Sequence, residues 1–171
     1  MDPNHEHQEF RPELLSRRGE LTAWVLAVAA LTAWLLVLVM DAYIFIALPI
    51  LAVLLLLAAL SISLGNWMDR QSVIKIEDDG ILFSNGIRHT NLKWDEIQKV
   101  EVNIHKWGNK VHVISEHAHF SFRTLGEVSV GGEVKGRMGY VEGDKILQLI
   151  LERSSMREIG HEEDYYYYAR E

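Results

Sequence analysis

The chain contains no cysteine, and only three of its 171 residues are proline. Without cysteine there is no disulfide, no thiolate zinc site and no cysteine nucleophile. The motifs of common enzyme classes are also missing: no P-loop, no G-x-S-x-G elbow and no H-E-x-x-H sequence occurs. The pair Gly131-Gly132 precedes no helix start that would hold a phosphate. We therefore expect neither enzymatic activity, nor a cofactor, nor a catalytic residue.

Positive charge is scarce as well. The chain has 17 lysines and arginines against 24 aspartates and glutamates, a formal net charge of -7. Proteins that bind nucleic acid need clustered cations to contact the phosphates. We therefore expect no nucleic acid among the partners.

Residues 21–64 are the stretch with the least charge. Asp41 is their only charged residue, and they contain no Lys, Arg, Glu or His. About 20 apolar residues at ~1.5 Å per residue cross the ~30 Å hydrocarbon core of a bilayer. Residues 21–40 and 42–64 each reach this length, so we assign residues 21–67 to a transmembrane helical hairpin. The alternatives are a cleaved signal peptide and a buried soluble hairpin, but a second span follows directly and neither helix has a polar face.

The cations that flank the hairpin predict its orientation. Arg17 and Arg18 precede the first helix, Arg70 and Lys75 follow the second, and the turn at Asp41 has no cation. Cytoplasmic loops carry the excess of lysine and arginine. The prediction is a multi-pass protein of the cell (inner, cytoplasmic) membrane, with both termini in the cytoplasm and the lipid bilayer as one partner.

The hairpin itself has the features of an anchor. Trp24 and Trp67 stand near the predicted cytoplasmic boundary and Tyr43 near the outer one, as expected of interfacial aromatic residues. Pro49 falls inside the second span and is expected to kink it. Alanines at four-residue spacing allow close helix approach, and with it a homo-oligomer. No ionisable residue lies at the bilayer centre, where transport pathways usually place one.

Residues 1–20 form a polar segment that we place in the cytoplasm. His5 and His7 have the spacing of a metal-binding pair, although a disordered polar tail is the interpretation that we favour. Pro12 followed by Glu13 is predicted to open a short helix that leads into the first span.

Beyond Met68 the apolar residues alternate as they do in β-strands. Turn signals at Asp79-Gly80, Asn85-Gly86 and Gly108-Asn109 separate short β-like runs. At least six strands in meander order predict a small antiparallel sandwich or barrel. The glycine-rich residues 126–143 are predicted to be a loop with at most one strand, around residues 133–140. An amphipathic helix capped by Asp144, within residues 144–156, is expected to close the open end of the barrel.

Three points of this region resemble a pleckstrin-homology-like domain of the bacterial type. They are the hairpin Ile74-Lys75-Ile76-Glu77-Asp78-Asp79-Gly80-Ile81, the corner Leu92-Lys93-Trp94-Asp95-Glu96-Ile97 and the terminal helix. The resemblance covers residues 68–156. It implies an α+β membrane protein, in which a two-helix transmembrane hairpin precedes an antiparallel β-barrel or sandwich. A C-terminal helix would cap this β-domain, and the corner Trp94 would lie in its core. The first hairpin is acidic where phosphoinositide-binding members place cations, so we expect no phosphoinositide.

The histidines of the β-region form a pattern of their own. With two-residue turns at Gly108-Asn109 and Ser115-Glu116, His105, His112 and His119 would lie opposite one another on neighbouring strands. Such a row would suit a metal ion or a pH-sensitive surface. The alternative, which we favour, is a polar sheet face without either role, so we expect no resident metal.

Two further features bear on partners. Trp107 lies at a predicted hairpin tip, where it is either a partner contact or a solvent-exposed residue. The tail, residues 157–171, is acidic and contains four consecutive tyrosines, Tyr165 to Tyr168. These tyrosines could form an edge strand, dock on a partner or be disordered, and we favour the last two alternatives. The resulting hypothesis is a membrane-anchored interaction or scaffold module that binds a protein partner or copies of itself. An accessory subunit of an envelope transport or secretion complex is the second hypothesis.

Overall fold

The computed structural model describes residues 8–13, 17–41 and 46–170. These residues form two compact units. A helical unit lies within residues 16–67, and a β unit combines the segment that precedes residue 16 with residues 68–171. The fold is α+β: two long apolar helices are followed by antiparallel sheets, which include a half-barrel.

The helical unit consists of α1 (Arg18–Val39) and most of α2 (Ala47–Gln71). Among the described residues, these two helices are long and apolar enough to cross a membrane. Their large leucines, valines and isoleucines are mostly exposed, and the buried positions are alanines, namely Ala27, Ala52 and Ala59. Small residues let two helix backbones approach closely, whereas the exposed apolar side chains are those that a lipid-facing surface would need.

The predicted kink at Pro49 does not arise, because the second helix begins later than expected. Helix α2 starts at Ala47, so Pro49 lies in its first turn. The N–H groups of the first turn have no partner inside a helix, and a proline there removes no hydrogen bond. Tyr43, predicted to lie at the outer membrane boundary, is outside the described residues.

Polar side chains join the two helices at one end of the helical unit. The Trp24 indole N–H donates to the Ser63 hydroxyl at 2.8 Å, and this hydroxyl donates to Glu20 Oε1 at 2.8 Å. The Asn66 amide donates to the other oxygen of Glu20 at 2.9 Å. Each such interhelical hydrogen bond contributes on the order of 1 kcal/mol in an apolar setting. Trp24, which was predicted to be an interfacial aromatic residue, therefore also links the two helices.

The β unit begins before the helices do. Strand β1 (Gln8–Phe10) and strand β2 (Pro12–Glu13) precede α1, and both pair with strands that follow α2. β1 pairs with β3 (Val73–Ile76), which places Phe10 opposite Ile74, and Phe10 is only 5% exposed. The prediction of a helix that opens at Pro12 is therefore wrong. Proline suits a short terminal strand, because its missing N–H is tolerated where one edge of the strand is unpaired.

The predicted meander is present. Strands β4 (Gly80–Ser84) and β5 (His89–Lys93) extend the sheet in the order β1-β3-β4-β5. A short 3₁₀ helix (Trp94–Glu96) leads to β6 (Ile97–Asn103), β7 (Lys110–Ser115) and β8 (His119–Arg123). Trp94 is buried, as the resemblance implied, and its indole N–H lies 3.2 and 3.1 Å from the carbonyl oxygens of Glu77 and Asp78.

Two segments that were predicted to be irregular are hairpins. The glycine-rich region forms β9 (Gly126–Val130) and β10 (Glu133–Tyr140), which join β2 in a three-stranded sheet of order β2-β10-β9. The tail forms β11 (Arg157–Glu162) and β12 (Tyr165–Ala169), and β12 pairs with β6 to give the order β11-β12-β6-β7-β8. Tyr166 and Tyr168 pack against the core. The tail is thus paired in a sheet, as in the edge-strand alternative that we had not favoured, but the tyrosine strand β12 lies inside the sheet and β11 forms its edge.

The core of the β unit is bounded by helix α3 (Gly143–Arg153), which buries Ile146 and Ile150. This helix was predicted within residues 144–156; it begins at Gly143, so Asp144 lies in its first turn and caps nothing. The apolar faces of the sheets supply the rest of the core, including a row of aromatic rings. Phe83 stacks on Phe120 with ring centroids 5.1 Å apart, and the row continues through two further rings.

We predict that Phe10→Ala destabilises the β unit by about 3–5 kcal/mol, the usual cost of removing a buried phenyl group. The measurement is denaturant unfolding of the full-length chain in detergent micelles, followed by near-UV circular dichroism. Arg11→Ala is the control, because Arg11 is exposed on the same segment. Equal stability of the Phe10 variant and the wild type would show that the segment before α1 is no part of the β unit.

Candidate functional site

A cleft with a volume of about 280 Å³ lies in the β unit, among the residues that the structure describes. Its walls come from β2, from the last turn of α2 and the residue after it, and from the turn that follows β4. The remaining wall comes from β7, β8 and the end of β10. Segments distant in sequence therefore meet here, and they bring both acidic and basic side chains with them.

Gly139 allows the cleft to form, because it lets β10 approach the end of β8 closely. Its φ is +95°, a conformation that L side chains rarely adopt. A Cβ at this position would lie 2.4 Å from the carbonyl oxygen of Thr124. The next residue, Tyr140, forms an isolated parallel bridge with Thr124. The glycine that made this region look like a loop is thus needed for a close strand contact.

Tyr140 lines the cleft and is the most unusual side chain in it. Its ring packs edge-on against Phe122, with centroids 5.9 Å apart and an interplanar angle of 85°. The residue is only 4% exposed, and its hydroxyl has no hydrogen-bond partner among the residues that the structure describes. Burial, and to a smaller extent the nearby charge of Asp69, raises the pKa of the Tyr140 hydroxyl far above its usual range. A buried polar group without a partner costs about 1–3 kcal/mol.

Charged side chains of both signs line the same cleft. Glu13 and Asp69 are the acids of the cleft, and Lys110 and Arg123 are its bases. Lys110 and Arg123 lie directly opposite one another on β7 and β8, an arrangement of like charges that is unfavourable unless an anion is near. One Nη of Arg123 donates to the Trp107 carbonyl at 3.1 Å.

The acids and bases of the cleft do not neutralise one another. Within the described part of the chain, the side chains of Glu13, Asp69 and Lys110 make neither a hydrogen bond nor an ion pair. The cleft therefore offers two carboxylates, one ammonium group, part of a guanidinium group and a tyrosine hydroxyl. This arrangement has the charged and polar groups needed to bind a small polar molecule.

The predicted row of histidines is not formed. His112 lies opposite Glu101 on β6 and Ser121 on β8, and His119 lies opposite Ile114. His105 falls in the connection that follows β6. The loop between β6 and β7, residues 104–109, is longer than the two-residue turn that we assumed. The turn between β7 and β8 lies one residue later than assumed, because the Ser115 N–H donates to the Ala118 carbonyl across it. Both differences shift the partners along the strands.

The electrostatic setting of these histidines offers little for a metal. Burial and the neighbouring Lys110 lower the pKa of His112, while Glu101 raises it by a smaller amount. His119 lies 3.5 Å from the Arg88 guanidinium, a cation that competes with a metal ion. No three His, Asp or Glu side chains among residues 8–13, 17–41 and 46–170 are grouped so that they could hold a metal ion. The histidine pair His5 and His7 lies outside these residues.

The other predicted contact residues lie apart from the cleft. Trp107 is 51% exposed in the loop between β6 and β7. Arg17 and Arg18 are exposed where α1 begins, and Trp67 is exposed on α2. The cleft residues themselves were not predicted from the sequence, because a lone tyrosine after a glycine-rich stretch carries no recognisable motif.

Comparison with known proteins adds no assignment: no protein-family model, curated protein or solved structure matches the chain.

We predict that Tyr140→Phe stabilises the unliganded chain by about 1–3 kcal/mol, because it removes only the buried hydroxyl that has no partner. Denaturant unfolding of the full-length chain in detergent measures the change. Tyr165→Phe is the matched control, because Tyr165 is exposed and its hydroxyl accepts a hydrogen bond from Asn103 at 2.8 Å. Loss of this hydroxyl should destabilise the chain by no more than about 1 kcal/mol. Destabilisation by Tyr140→Phe would mean that the hydroxyl already has a partner.

Proposed function

We propose that this chain is a membrane-anchored interaction module. In this proposal the helical unit inserts into a bilayer, and the β unit binds a protein partner or a second copy of the chain at the cytoplasmic face. The observation that carries the proposal is the pairing of strands across the helices: β1 and β2 precede α1, and they pair with β3 and β10, which follow α2.

This pairing restricts the topology. Two segments that are paired in one sheet must lie on the same side of any membrane that the helices cross. The helices would therefore cross it twice and return, with the connection near Asp41 on the opposite side. Arg17 and Arg18 lie at the start of α1, whereas Asp41 follows its end, and this bias supports a cytoplasmic location for the β unit.

The connection between helix and sheet supports a function exerted close to the bilayer. Helix α2 continues to Gln71 and β3 begins at Val73, so a single residue separates them. A connection of one residue has little conformational freedom compared with a flexible linker. The β unit would therefore remain within a few residues of the lipid headgroups.

The β unit has the features of a binding module of the pleckstrin-homology-like kind. Antiparallel sheets with a half-barrel and the amphipathic helix α3 support this assignment of fold. Trp107, Ile87 and Val141 are large apolar side chains that stay more than half exposed, and partner surfaces often use such residues. The first hairpin keeps the acidic side chains of Glu77, Asp78 and Asp79, which speaks against phosphoinositides as ligands.

The topology is testable with single cysteines, because the chain has none of its own. Arg11→Cys, Glu116→Cys and Asp41→Cys each place a thiol at an exposed position. We predict that a membrane-impermeant maleimide modifies positions 11 and 116 only from the cytoplasmic side, and position 41 only from the other side. The readout is the mass shift in right-side-out and inverted vesicles. Labelling of positions 11 and 116 from opposite sides would contradict the proposal.

The interaction itself is testable by photo-crosslinking in native membranes. A photoreactive residue in place of Trp107 is expected to give one dominant adduct, either a dimer of the chain or one defined partner. Gln98, which is exposed on β6, is the control position and should give at least fivefold less of that adduct. Adducts formed only by residues of α1 and α2, within a stoichiometric foreign complex, would favour the accessory-subunit alternative. Equal adduct yields at positions 107 and 98 would remove Trp107 as a contact.

A further inference from the structure

We propose that the cleft of the β unit binds a small zwitterion, in which a short chain joins an ammonium group to a phosphate or carboxylate. The ethanolamine phosphate headgroup of an aminophospholipid is the source that we favour. The chemistry of the ligand follows from the cleft alone, whereas the lipid source rests on the membrane anchoring that we proposed above.

The Tyr140 hydroxyl indicates that the cleft is a ligand site. Most buried hydroxyl groups in proteins are hydrogen-bonded, and each exception calls for an explanation. Here the ring packs against Phe122, and the residue lines the cleft while its hydroxyl is buried. A tyrosine hydroxyl can both donate and accept a hydrogen bond. It can therefore donate to an anionic oxygen or accept from an ammonium group of a bound molecule.

The balance of charge indicates a zwitterion. Glu13 and Asp69 would attract a cation, and Lys110 and Arg123 would attract an anion, so an ion of one sign would meet repulsion from half of the cleft. Because Glu13, Asp69 and Lys110 make no ion pair within the described residues, these charges are available to a ligand. Arg and Lys side by side on β7 and β8 suit a phosphate or carboxylate.

The remaining walls suit the short chain between the two charges. Phe83, Phe122 and Met138 supply apolar surface in the same cleft. Aromatic faces also attract ammonium groups. A volume of about 280 Å³ lies just below the usual range of ligand pockets, ~300–1,000 Å³, so the cleft suits a headgroup or an amino acid rather than a folded peptide segment.

The position of Asp69 in the chain connects the cleft to the bilayer. Met68 and Asp69 belong to the last turn of α2, and both line the cleft. If α2 spans a membrane, its last turn lies at the level of the headgroups, which is where aminophospholipids present an ammonium group and a phosphate. An aminophospholipid would therefore be the zwitterion with the highest local concentration.

The test uses the full-length chain in a nonionic detergent, with isothermal titration calorimetry. The probes are O-phosphoethanolamine, which carries both charges, and ethanolamine and inorganic phosphate, which carry one each. We expect O-phosphoethanolamine to bind at least tenfold more tightly than either single-charge probe. No binding of O-phosphoethanolamine, or binding no tighter than that of phosphate or ethanolamine, would overturn the proposal.

Variants assign this binding to the cleft. Asp69→Asn and Lys110→Gln are expected to weaken the binding of O-phosphoethanolamine at least tenfold, and Tyr140→Phe about three- to tenfold. Because Tyr140→Phe should not lower the stability of the empty chain, weaker binding by this variant does not reflect unfolding. Asp95→Asn, Lys106→Gln and Tyr165→Phe are matched controls at exposed positions outside the cleft and should bind like the wild type. Wild-type affinity in Asp69→Asn and Tyr140→Phe would place the binding elsewhere.

Nanodiscs distinguish a lipid from a soluble source. In discs of phosphatidylglycerol alone, whose headgroup has no ammonium group, free O-phosphoethanolamine should still bind. In discs that contain phosphatidylethanolamine, we expect its apparent affinity to fall at least tenfold, because the lipid headgroup occupies the cleft. Equal affinity in both discs would overturn the lipid source and assign the cleft to a soluble zwitterion. Failure of the predicted cysteine topology would refute the membrane anchoring while leaving the titration in detergent unaffected.

Discussion

The pairing of β1 with β3 is the interaction on which the rest of this structure depends. It joins a segment before the two apolar helices to a strand just after them, and it buries Phe10 in the core of the β unit. Because hydrogen bonds within a sheet hold both ends of the helical unit in one folded unit, the helices form an insertion in a β fold rather than an independent leader. The membrane topology that we propose rests on this constraint.

A second pairing, made by β2, completes the cleft. Pro12 lies opposite Tyr140, and Glu13 lies opposite Gly139. The segment before α1 therefore contributes an acidic side chain, while the last turn of α2 contributes Asp69. The cleft therefore lies wholly within the β unit, and its walls come from segments on both sides of the helical unit in sequence.

Tyr140 shows how the core and the cleft are related. Its ring completes a row that includes Phe120 and Phe122, and dense packing of such a row leaves the ring little freedom to move. The hydroxyl is consequently held without a partner, at a cost in stability, next to charges that are not paired with one another. Natural proteins commonly accept such a cost at binding sites, because groups that are already in position lose less entropy when a ligand binds.

The sequence by itself determined the elements that depend on local pattern. The apolar stretches, the alternation around Val100 and Val102, and the amphipathic period of Ile146 and Ile150 predicted helices and strands that the structure contains, because each reports the burial of nearby residues. Tertiary structure decided the rest. Pairing between distant segments made strands within residues 8–13 and in the tyrosine tail. The length and position of the hairpin turns determined which residues lie opposite His112. Gly139, with its positive φ, allowed the close strand contact that places Tyr140 in the same cleft as Asp69. No local pattern encodes these contacts, because they depend on which distant strands meet and in which register.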